Sequence, residues 1–250
     1  MKPAPFDYIA PDSLDAALAA MNEYGYDAKL LAGGQSLVPM MNFRLAQPAV
    51  IVDLNGLSEL DTIHHTDSGG LRLGAMVRQR RLERDSLVAE AAPLLHEAMP
   101  HVAHVQIRNR GTLGGSLAHA DPAAELPVVI VALDGRVCLR RASGERWIAA
   151  REFFTGIFTT DLAAEEILVE LELPPLPPGT GTAFMEMARR HGDYALAGVA
   201  AVVTLDEAGI CRRARLVYLN AGEVPIAAEQ AASLLVGQLP SGRVIEEAAI

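Results

Sequence analysis

The chain has 250 residues, 50% of them hydrophobic and 21% charged, which is typical of a folded protein with one or two domains and excludes a largely disordered chain. Its formal net charge is −10, and nucleic acid and anionic bilayers would repel such an acidic chain. The longest apolar stretch, residues 195–205, is too short for a membrane-spanning helix, which needs roughly 20 residues.

The amino terminus and the cysteines indicate a cytoplasmic protein that has no metal site of its own. Residues 1–7 lack an apolar signal segment, so the expected compartment is the cytoplasm. Cys138 and Cys211 stand alone, which argues against a disulfide framework and against a zinc or iron–sulfur site built from cysteines. His101 and His104 have no third ligand nearby, and we interpret them as a polar surface pair. Redox-active metals are therefore expected on another chain.

Helices and strands alternate in the first half of the sequence. Apolar residues recur with helical spacing from Leu14 to Met21, Asp12 and Asp15 have the spacing of a capping box, and Gly25 can end the helix. A strand ending at residue 32 leads into the turn 33–36 and then into a helix that we expect to reach residue 45. Short strands are predicted at 48–54 and 71–75, and the helical pattern at 82–99 should break at its proline.

A second glycine turn, at residues 111–116, precedes an apolar run at 126–133 and a hairpin at 136–148. The next segment alternates, and this pattern predicts a strand with Ile167, Val169, Leu171 and Leu173 on one face and Leu168 on the other.

The proline-rich segment 174–179 is the best domain boundary, because it can continue neither a helix nor a central strand. Beyond it, strands are predicted at 183–187, 195–205 and 211–219, followed by helices at 227–236 and after residue 241. We therefore predict an α+β protein with one domain at 1–177 and a second at 178–250, an antiparallel sheet with helices.

The two glycine turns carry the chemistry of this sequence. A Gly-Gly pair between a strand and a helix directs backbone N–H groups into one concavity, where a phosphate can bind without a lysine. Neither turn is a Walker loop, and GxGxxG does not occur. A single such pair is often only a tight turn. Two such turns, each ending in a serine, make a diphosphate-binding site the alternative interpretation.

Four blocks of sequence, in order, resemble one known family, the FAD-binding medium subunit of molybdenum hydroxylases of the carbon monoxide dehydrogenase and xanthine dehydrogenase type. The blocks are Leu-Ala-Gly-Gly-Gln-Ser-Leu at 31–37, Thr-Leu-Gly-Gly-Ser at 112–116 with Asp-Pro at 121–122 and Glu-Leu-Pro at 125–127, Glu-Glu-Ile-Leu at 165–168, and Gly-Asp-Tyr-Ala at 192–195. The resemblance extends from residue 6 to about residue 237.

This resemblance implies a PCMH-type FAD-binding domain of two small α/β subdomains, closed by a C-terminal domain. The implied first phosphate loop consists of Leu31, Ala32, Gly33, Gly34, Gln35, Ser36 and Leu37, and the second of Thr112, Gly114, Gly115 and Ser116. The implied ribose and adenine contacts are Asp121 and Glu125, and His119 is a further candidate contact. The implied flavin contacts are Val102, Ala103, either Ile167 or Leu168, and Tyr194.

The family further implies partners, a small subunit with two [2Fe-2S] clusters and a large molybdopterin subunit, assembled as a dimer of heterotrimers. This sequence differs from the family pattern at Ser116, where asparagine is usual, at Glu125, where aspartate is usual, and in ending at Ile250, before the family's terminal helices. The alternative is a nucleotide-binding or scaffold protein of the same fold that has lost the flavin. We expect a Cβ at Gly33 or Gly114 to obstruct the pyrophosphate, and Gly114→Val to leave a folded protein with little flavin.

Overall fold

The computed structural model describes residues 1–249, which form three units in chain order: unit I (7–53), unit II (63–173) and unit III (180–249). The predicted class is confirmed, since helices and several separate sheets are mixed throughout. None of the helices in these residues combines the length and the apolar character that crossing a bilayer requires.

Unit I is a three-stranded parallel sheet in the order β1-β3-β2, with helices in its connections. Its elements are β1 (Asp7–Ile9), α1 (Leu14–Tyr24), β2 (Ala28–Leu31), α2 (Leu37–Asn42) and β3 (Val50–Asp53). The N-cap of α1 is Ser13, one residue after the predicted cap Asp12. The Ser13 hydroxyl accepts a hydrogen bond from the Ala16 amide at 3.3 Å.

The predicted extension of α2 to Leu45 is wrong. Arg44 takes a left-handed conformation (φ 57°), and the Leu45 amide bonds back to the Met40 carbonyl at 2.9 Å. These bonds end the helix and turn the chain away from the helix axis. Phe43 and Leu45 are consequently exposed.

Unit II is a five-stranded antiparallel sheet in the order β4-β5-β10-β6-β7, with six helices inserted between β5 and β6. Its strands are β4 (Ile63–His65), β5 (Leu71–Gly74), β6 (Arg136–Arg141), β7 (Gly144–Ala149) and β10 (Ile167–Leu173), with a separate two-stranded ribbon of β8 (Phe154–Gly156) and β9 (Thr159–Thr160). Its helices are α3 (Gln79–Leu82), α4 (Ser86–Ala91), α5 (Pro93–Ala98), α6 (Val105–Arg108), α7 (Leu113–His119), α8 (Glu125–Ala132) and α9 (Ala150–Phe153).

The apolar run 126–133 forms a helix although it is rich in β-branched residues. Nearly all residues of α8 are buried, because this helix lies between α5 of unit II and the sheet of unit III. Burial on all sides removes the helical periodicity that would have identified it in the sequence.

Strand β10 contains a β-bulge that changes which side chains share a face. Ile167 and Val169 pack into the core of unit I, whereas Leu168, Leu171 and Leu173 pack into the core shared by units II and III. The predicted alternation is therefore wrong beyond Val169, since one extra residue moves every later side chain to the opposite face.

Unit III is a four-stranded antiparallel sheet in the order β11-β12-β13-β14, followed by two helices. Its elements are β11 (Thr180–Ala188), β12 (Ala195–Leu205), β13 (Cys211–Leu219), β14 (Ile226–Ala227), α10 (Glu229–Leu235) and α11 (Gly242–Ala249). The predicted strands at 195–205 and 211–219 are confirmed. The side chains of Val202, Val217 and Leu219 join the core of unit II.

Candidate functional site

All three units line one cleft of about 610 Å³, a volume within the range of about 300–1,000 Å³ that is usual for small-molecule sites. All but two of the sequence-predicted residues line it. They are Ala32, Gly33, Gly34, Gln35, Ser36, Leu37, Val102, Ala103, Thr112, Gly114, Gly115, Ser116, His119, Asp121, Glu125, Leu168 and Tyr194. Residues that lie far apart in the sequence thus meet at one place.

The two predicted residues outside the cleft lining are Leu31 and Ile167. Leu31 ends β2, and its side chain lies beneath Gly34. Ile167 is completely buried in the core of unit I, because adjacent residues of a strand face opposite sides of the sheet and Leu168 faces the other side. Of the two aliphatic candidates in β10, only Leu168 lines the cleft.

The first loop, residues 32–36 between β2 and α2, presents unused hydrogen-bond donors. The backbone N–H groups of residues 33–37 have no acceptor within the part of the chain that the structure describes. Gly34 has a φ of +72°, a left-handed conformation that suits glycine. Successive amides in such a turn form an anion-binding concavity, so this loop fits a phosphate group.

A polar network fixes the first loop from beneath. The Asn55 side chain donates to the Ala32 carbonyl at 2.9 Å and accepts from the Arg78 guanidinium at 2.6 Å. Arg78 also donates to the Arg110 carbonyl. A Cβ on Gly33 would lie only 2.5 Å from that carbonyl oxygen, so the first loop is pressed against the chain that enters the second loop.

The second loop, residues 111–116, has the same residue types but a different backbone. Its glycine pair does not precede a helix but forms the first turn of α7, with Thr112 as the N-cap. The Thr112 hydroxyl accepts from the Gly115 amide at 3.0 Å, and the Gly114 amide donates to the Ala75 carbonyl at 2.8 Å. The expectation that both loops present free backbone donors is therefore wrong for Gly114 and Gly115.

Gly114 is required for packing. A Cβ at this position would lie 2.5 Å from the Ala75 Cβ and 2.9 Å from the Ala75 carbonyl oxygen. The expectation that Gly114→Val leaves the fold intact is therefore wrong, because α7 could not keep its contact with Ala75, in the turn that follows β5. The second loop instead offers the cleft a hydroxyl group, that of Ser116.

Acidic side chains and an imidazole form the wall that follows the second loop. Burial raises the pKa of the Glu125 carboxyl to about 7, and burial lowers the pKa of His119. The His119 ring lies against Phe158, with centroids 5.0 Å apart. Asp121 accepts a hydrogen bond from the Ala123 amide at 2.9 Å. Near neutral pH this wall therefore contains a carboxyl group poised between its charged and neutral forms.

Unit III contributes the segment 192–194 to the mouth of the cleft. Tyr194 is 74% exposed, and its ring is free to cover a bound ligand. Ala103, across the mouth, takes a left-handed conformation (φ 43°). Gly192 packs against the His104 ring. His101 contacts Glu186 at 3.4 Å, so the predicted surface pair in fact joins units II and III.

Sequence reasoning missed several residues that line the cleft. They are contributed by segments outside the glycine turns, and they include Tyr26, Lys29, Met40, Gln79, Phe158, Glu166 and residues 162–164. Glu166 is buried and bonds both to Arg146 at 2.7 Å and to the Ala163 amide at 2.9 Å, which fixes the wall formed by 162–164. Glu166 belongs to the Glu-Glu-Ile-Leu block at 165–168, but that block was not taken to place an acidic residue in the site.

The cleft fits a ligand that has both a diphosphate and large apolar parts. Neutral amide donors in the first loop suit the phosphates, and apolar residues such as Val102 and Leu168 suit ring systems. Within residues 1–249, no group of three or more His, Cys, Asp or Glu side chains is arranged to hold a metal ion.

Two family models together match nearly the whole chain. Residues 4–176 match the FAD binding domain in molybdopterin dehydrogenase, and residues 182–250 match the CO dehydrogenase flavoprotein C-terminal domain.

The chain is also similar along its length to dehydrogenase subunits. It is 45% identical over 249 residues to the 6-hydroxypseudooxynicotine dehydrogenase complex subunit alpha of Paenarthrobacter nicotinovorans, covering 100% of this chain and 84% of that one. It is 43% identical over 239 residues to the caffeine dehydrogenase subunit beta of Pseudomonas sp. (strain CBB1), covering 95% and 80%. The solved carbon monoxide dehydrogenase from Hydrogenophaga pseudoflava superposes with a TM-score of 0.96 at 37% identity, covering 100% of this chain and 86% of that one.

Proposed function

This chain belongs to the family of FAD-binding medium subunits of molybdenum hydroxylases, and on that premise we propose that it passes electrons from the [2Fe-2S] clusters of a partner subunit, through FAD, to an external acceptor. FAD supplies the redox chemistry when bound, and the residues of the chain hold and orient it. The observation that carries this proposal is the first loop, whose residues 33–37 line the shared cleft and whose N–H groups have no acceptor within residues 1–249.

We assign the pyrophosphate of FAD to the first loop, with the Ser36 and Ser116 hydroxyls as additional donors. Ser36 occupies the N-cap position of α2, yet its side chain makes no capping bond. Its hydroxyl is therefore available to a ligand. The second loop contributes few backbone donors, since all of its amides except that of Thr112 are already bonded within the protein.

The other sites follow from the chemistry of the walls. Asp121 and Glu125 are carboxyl acceptors suited to ribose hydroxyl groups, and His119 lies beside them. Val102, Ala103 and Leu168 provide an apolar surface for the isoalloxazine ring, and Tyr194 can lie against it at the mouth.

The partners that we propose are a small iron–sulfur subunit and a large molybdopterin subunit, assembled as a dimer of heterotrimers. In support, relatives are named as a subunit of a dehydrogenase complex and as a medium chain. The substrate of the complex would be oxidised on the molybdopterin subunit. Relatives named for caffeine and for carbon monoxide both match along this chain, which supports a role that does not depend on the substrate.

The experiment is to purify the full chain, reconstitute it with FAD, and record its visible spectrum and the stoichiometry of bound flavin. Flavin absorption bands with about one FAD per chain are expected. A folded, reconstituted chain without these bands would support the alternative of a scaffold protein that has lost the flavin. Purification from the native cell should also recover iron–sulfur and molybdenum proteins, and recovery of the chain alone would contradict the proposed complex.

A further inference from the structure

Two histidines of unit II flank a short segment at the mouth of the cleft. Val102 and Ala103 line the cleft. His101 and His104, on either side of them, lie outside its lining. The buried Arg108 guanidinium holds this segment, because it donates to the carbonyls of both lining residues, at 2.8 and 3.1 Å. The segment is therefore fixed within unit II.

Both histidines contact the β11–β12 hairpin of unit III, whose tip consists of residues 189–194. The Nδ1 atom of His101 lies 3.4 Å from Oε1 of Glu186, near the end of β11. The tip packs against the other histidine, since a Cβ on Gly192 would lie 2.3 Å from Cε1 of the His104 ring. The hairpin is thus attached to unit II both near the end of β11 and at its tip.

Glu186 is a buried carboxyl at the contact between units II and III. Its side chain is 5% exposed, and its second oxygen, Oε2, has no hydrogen-bond partner among residues 1–249. Burial raises the pKa of Glu186, and the imidazoles of His101 and His191 oppose this rise. Removal of the His101 ring would leave this buried carboxyl without its contact across the interface, which is unfavourable. The His101–Glu186 contact therefore stabilises the hairpin in its position on unit II.

We infer that His101 and Glu186 are positioning residues, which hold the hairpin tip so that Tyr194 lies at the flavin ring. This inference rests on the proposed placement of FAD. Tyr194 is the last residue of the tip and lines the cleft. Gly192 supplies the second point of attachment, against the His104 ring. Because neither histidine lines the cleft, their effect on the flavin passes through the position of the tip.

Trypsin provides a test that does not need FAD, because Arg189 and Arg190 are exposed at the tip. In the FAD-free full chain, His101→Leu should make cleavage after these arginines about threefold to tenfold faster, the effect of one lost hydrogen bond on the population of a detached tip. His101→Gln keeps an N–H donor and should remain close to the wild type. His64→Leu, at an exposed histidine outside the cleft lining, is the matched control and should not change the rate.

Mass spectrometry of the fragments distinguishes a detached tip from a general loss of stability. Faster cleavage that is confined to the tip supports the inference. An unchanged rate at the tip, or faster cleavage at sites throughout the chain, would overturn it. Neither result depends on whether the chain binds FAD, so failure here is distinct from failure of the proposed function.

In the FAD-loaded chain, the reduction potential of the flavin tests whether the pair acts through Tyr194. His101→Leu should shift this potential in the same direction as Tyr194→Ala, because both changes take the phenol ring away from the flavin. The two changes combined should shift it no further than Tyr194→Ala alone.

A purely structural role for His101 predicts that His101→Leu leaves the potential unchanged. That result, together with a shift in Tyr194→Ala, would overturn the inference while the proposed FAD site stood. Additive shifts in the double variant would also contradict an effect that passes through Tyr194. The absence of a shift in Tyr194→Ala would contradict the proposed position of that ring, on which the inference rests.

Gly192→Ala is an independent variant at the second attachment. The added methyl group would meet the His104 ring and displace the tip, in addition to the strain of a left-handed alanine at φ +86°. Gly237→Ala is the matched control, since Gly237 has a φ of +81° and a Cβ there would meet no described atom within 4 Å beyond its chain neighbours. Gly192→Ala should speed cleavage at the tip and shift the flavin potential, whereas Gly237→Ala should change neither. Equal behaviour of the two variants would rule out the attachment at Gly192.

Discussion

The two glycine loops have similar sequences but differ in how they use their backbone. In the first loop, which lines the cleft, the amides of residues 33–37 have no acceptor among the described residues, and one glycine takes a left-handed conformation. In the second loop, the glycines lie inside a helix whose first amides are bonded to Thr112 and Ala75. The same residue types thus provide ligand donors in one loop and close packing in the other.

This difference teaches that a Gly-Gly-Ser pattern alone does not identify a phosphate loop. What decides is whether the surrounding structure takes up the amide donors. The carbonyl of Ala75, in the turn that follows β5, accepts a hydrogen bond from the Gly114 amide, whereas residues 1–249 place no acceptor at the first loop.

Gly114→Ala should destabilise the FAD-free chain far more than Gly34→Ala. At Gly114 the added methyl group meets the Ala75 backbone and side chain, and overpacking of this kind costs up to about 3 kcal/mol. At Gly34 the nearest atoms are the ends of the Leu31 and Val38 side chains, so mainly the left-handed strain of about 1 kcal/mol remains. Urea unfolding of the two variants measures the difference, and equal losses would contradict the contrast.

Glu125, in the wall that follows the second loop, should make the free energy of unfolding depend on pH. The first loop cannot do so, since residues 32–37 contain no titratable side chain. The pKa of Glu125 is raised by burial from 4.5 to about 7. Its contribution to stability is therefore complete below pH 4.5 and is lost as the pH rises to about 7. Glu125→Gln should match the wild type near pH 4.5 and exceed its free energy of unfolding by up to about 3 kcal/mol at pH 8.

The matched control for this titration is Glu97→Gln, a change at an exposed glutamate outside the cleft lining. It should alter the free energy of unfolding by less than about 0.5 kcal/mol at either pH. If the difference in free energy of unfolding between Glu125→Gln and the wild type did not vary with pH, burial would not raise the pKa of the Glu125 carboxyl.

The N-cap residues Thr112 and Ser36 should affect different quantities, the first stability and the second FAD binding. Thr112→Ala removes a capping bond and should lower the free energy of unfolding by about 1 kcal/mol, whereas Thr112→Ser should restore it. Ser36→Ala removes no capping bond, so it should change stability by less than about 0.5 kcal/mol. Under the proposed assignment, it should weaken FAD binding by about threefold to tenfold. A loss of stability without a loss of FAD affinity in Ser36→Ala would remove Ser36 from the site.

Tyr194→Ala should have the smallest effect on stability and binding, because the side chain is largely exposed. FAD should remain bound, while the flavin spectrum, the reduction potential and the rate of acceptor reduction change, since an aromatic ring at the flavin alters its environment. Phe43→Ala, at an exposed aromatic outside the cleft lining, is the control. If the flavin spectrum, the reduction potential and the rate of acceptor reduction were all unchanged, Tyr194 would only anchor the start of its strand.

Periodicity and motif spacing predicted much of the fold and of the site. The helix at 14–24 and the strands at 195–205 and 211–219 were readable because each has one buried face or a sustained apolar run. The glycine blocks, Asp121, Glu125 and the Gly-Asp-Tyr-Ala segment were readable from motifs, and the structure brings them to one cleft. The domain boundary at 174–179 and the role of each site residue stay predictions.

Other parts of the site could not be read from the sequence, because they depend on contacts between distant segments. The bulge at Val169 arises from the register between β10 and β6, and it moves Leu171 and Leu173 onto the same face as Leu168. Gln79 has no motif, and its position depends on the glycine at 111.

The sequence by itself determined most of the element types, the two glycine turns and the resemblance to a flavin-binding family, because these depend on local propensity and residue spacing. Only the tertiary structure decided which glycine loop keeps free amides, which face of β10 meets the cleft, and which polar groups lack partners. The physical reason is that a hydrogen bond or a packing contact needs a second group, and that group is supplied by another part of the chain: Ala75 for the second loop, β6 for the bulge, and Gly111 for Gln79.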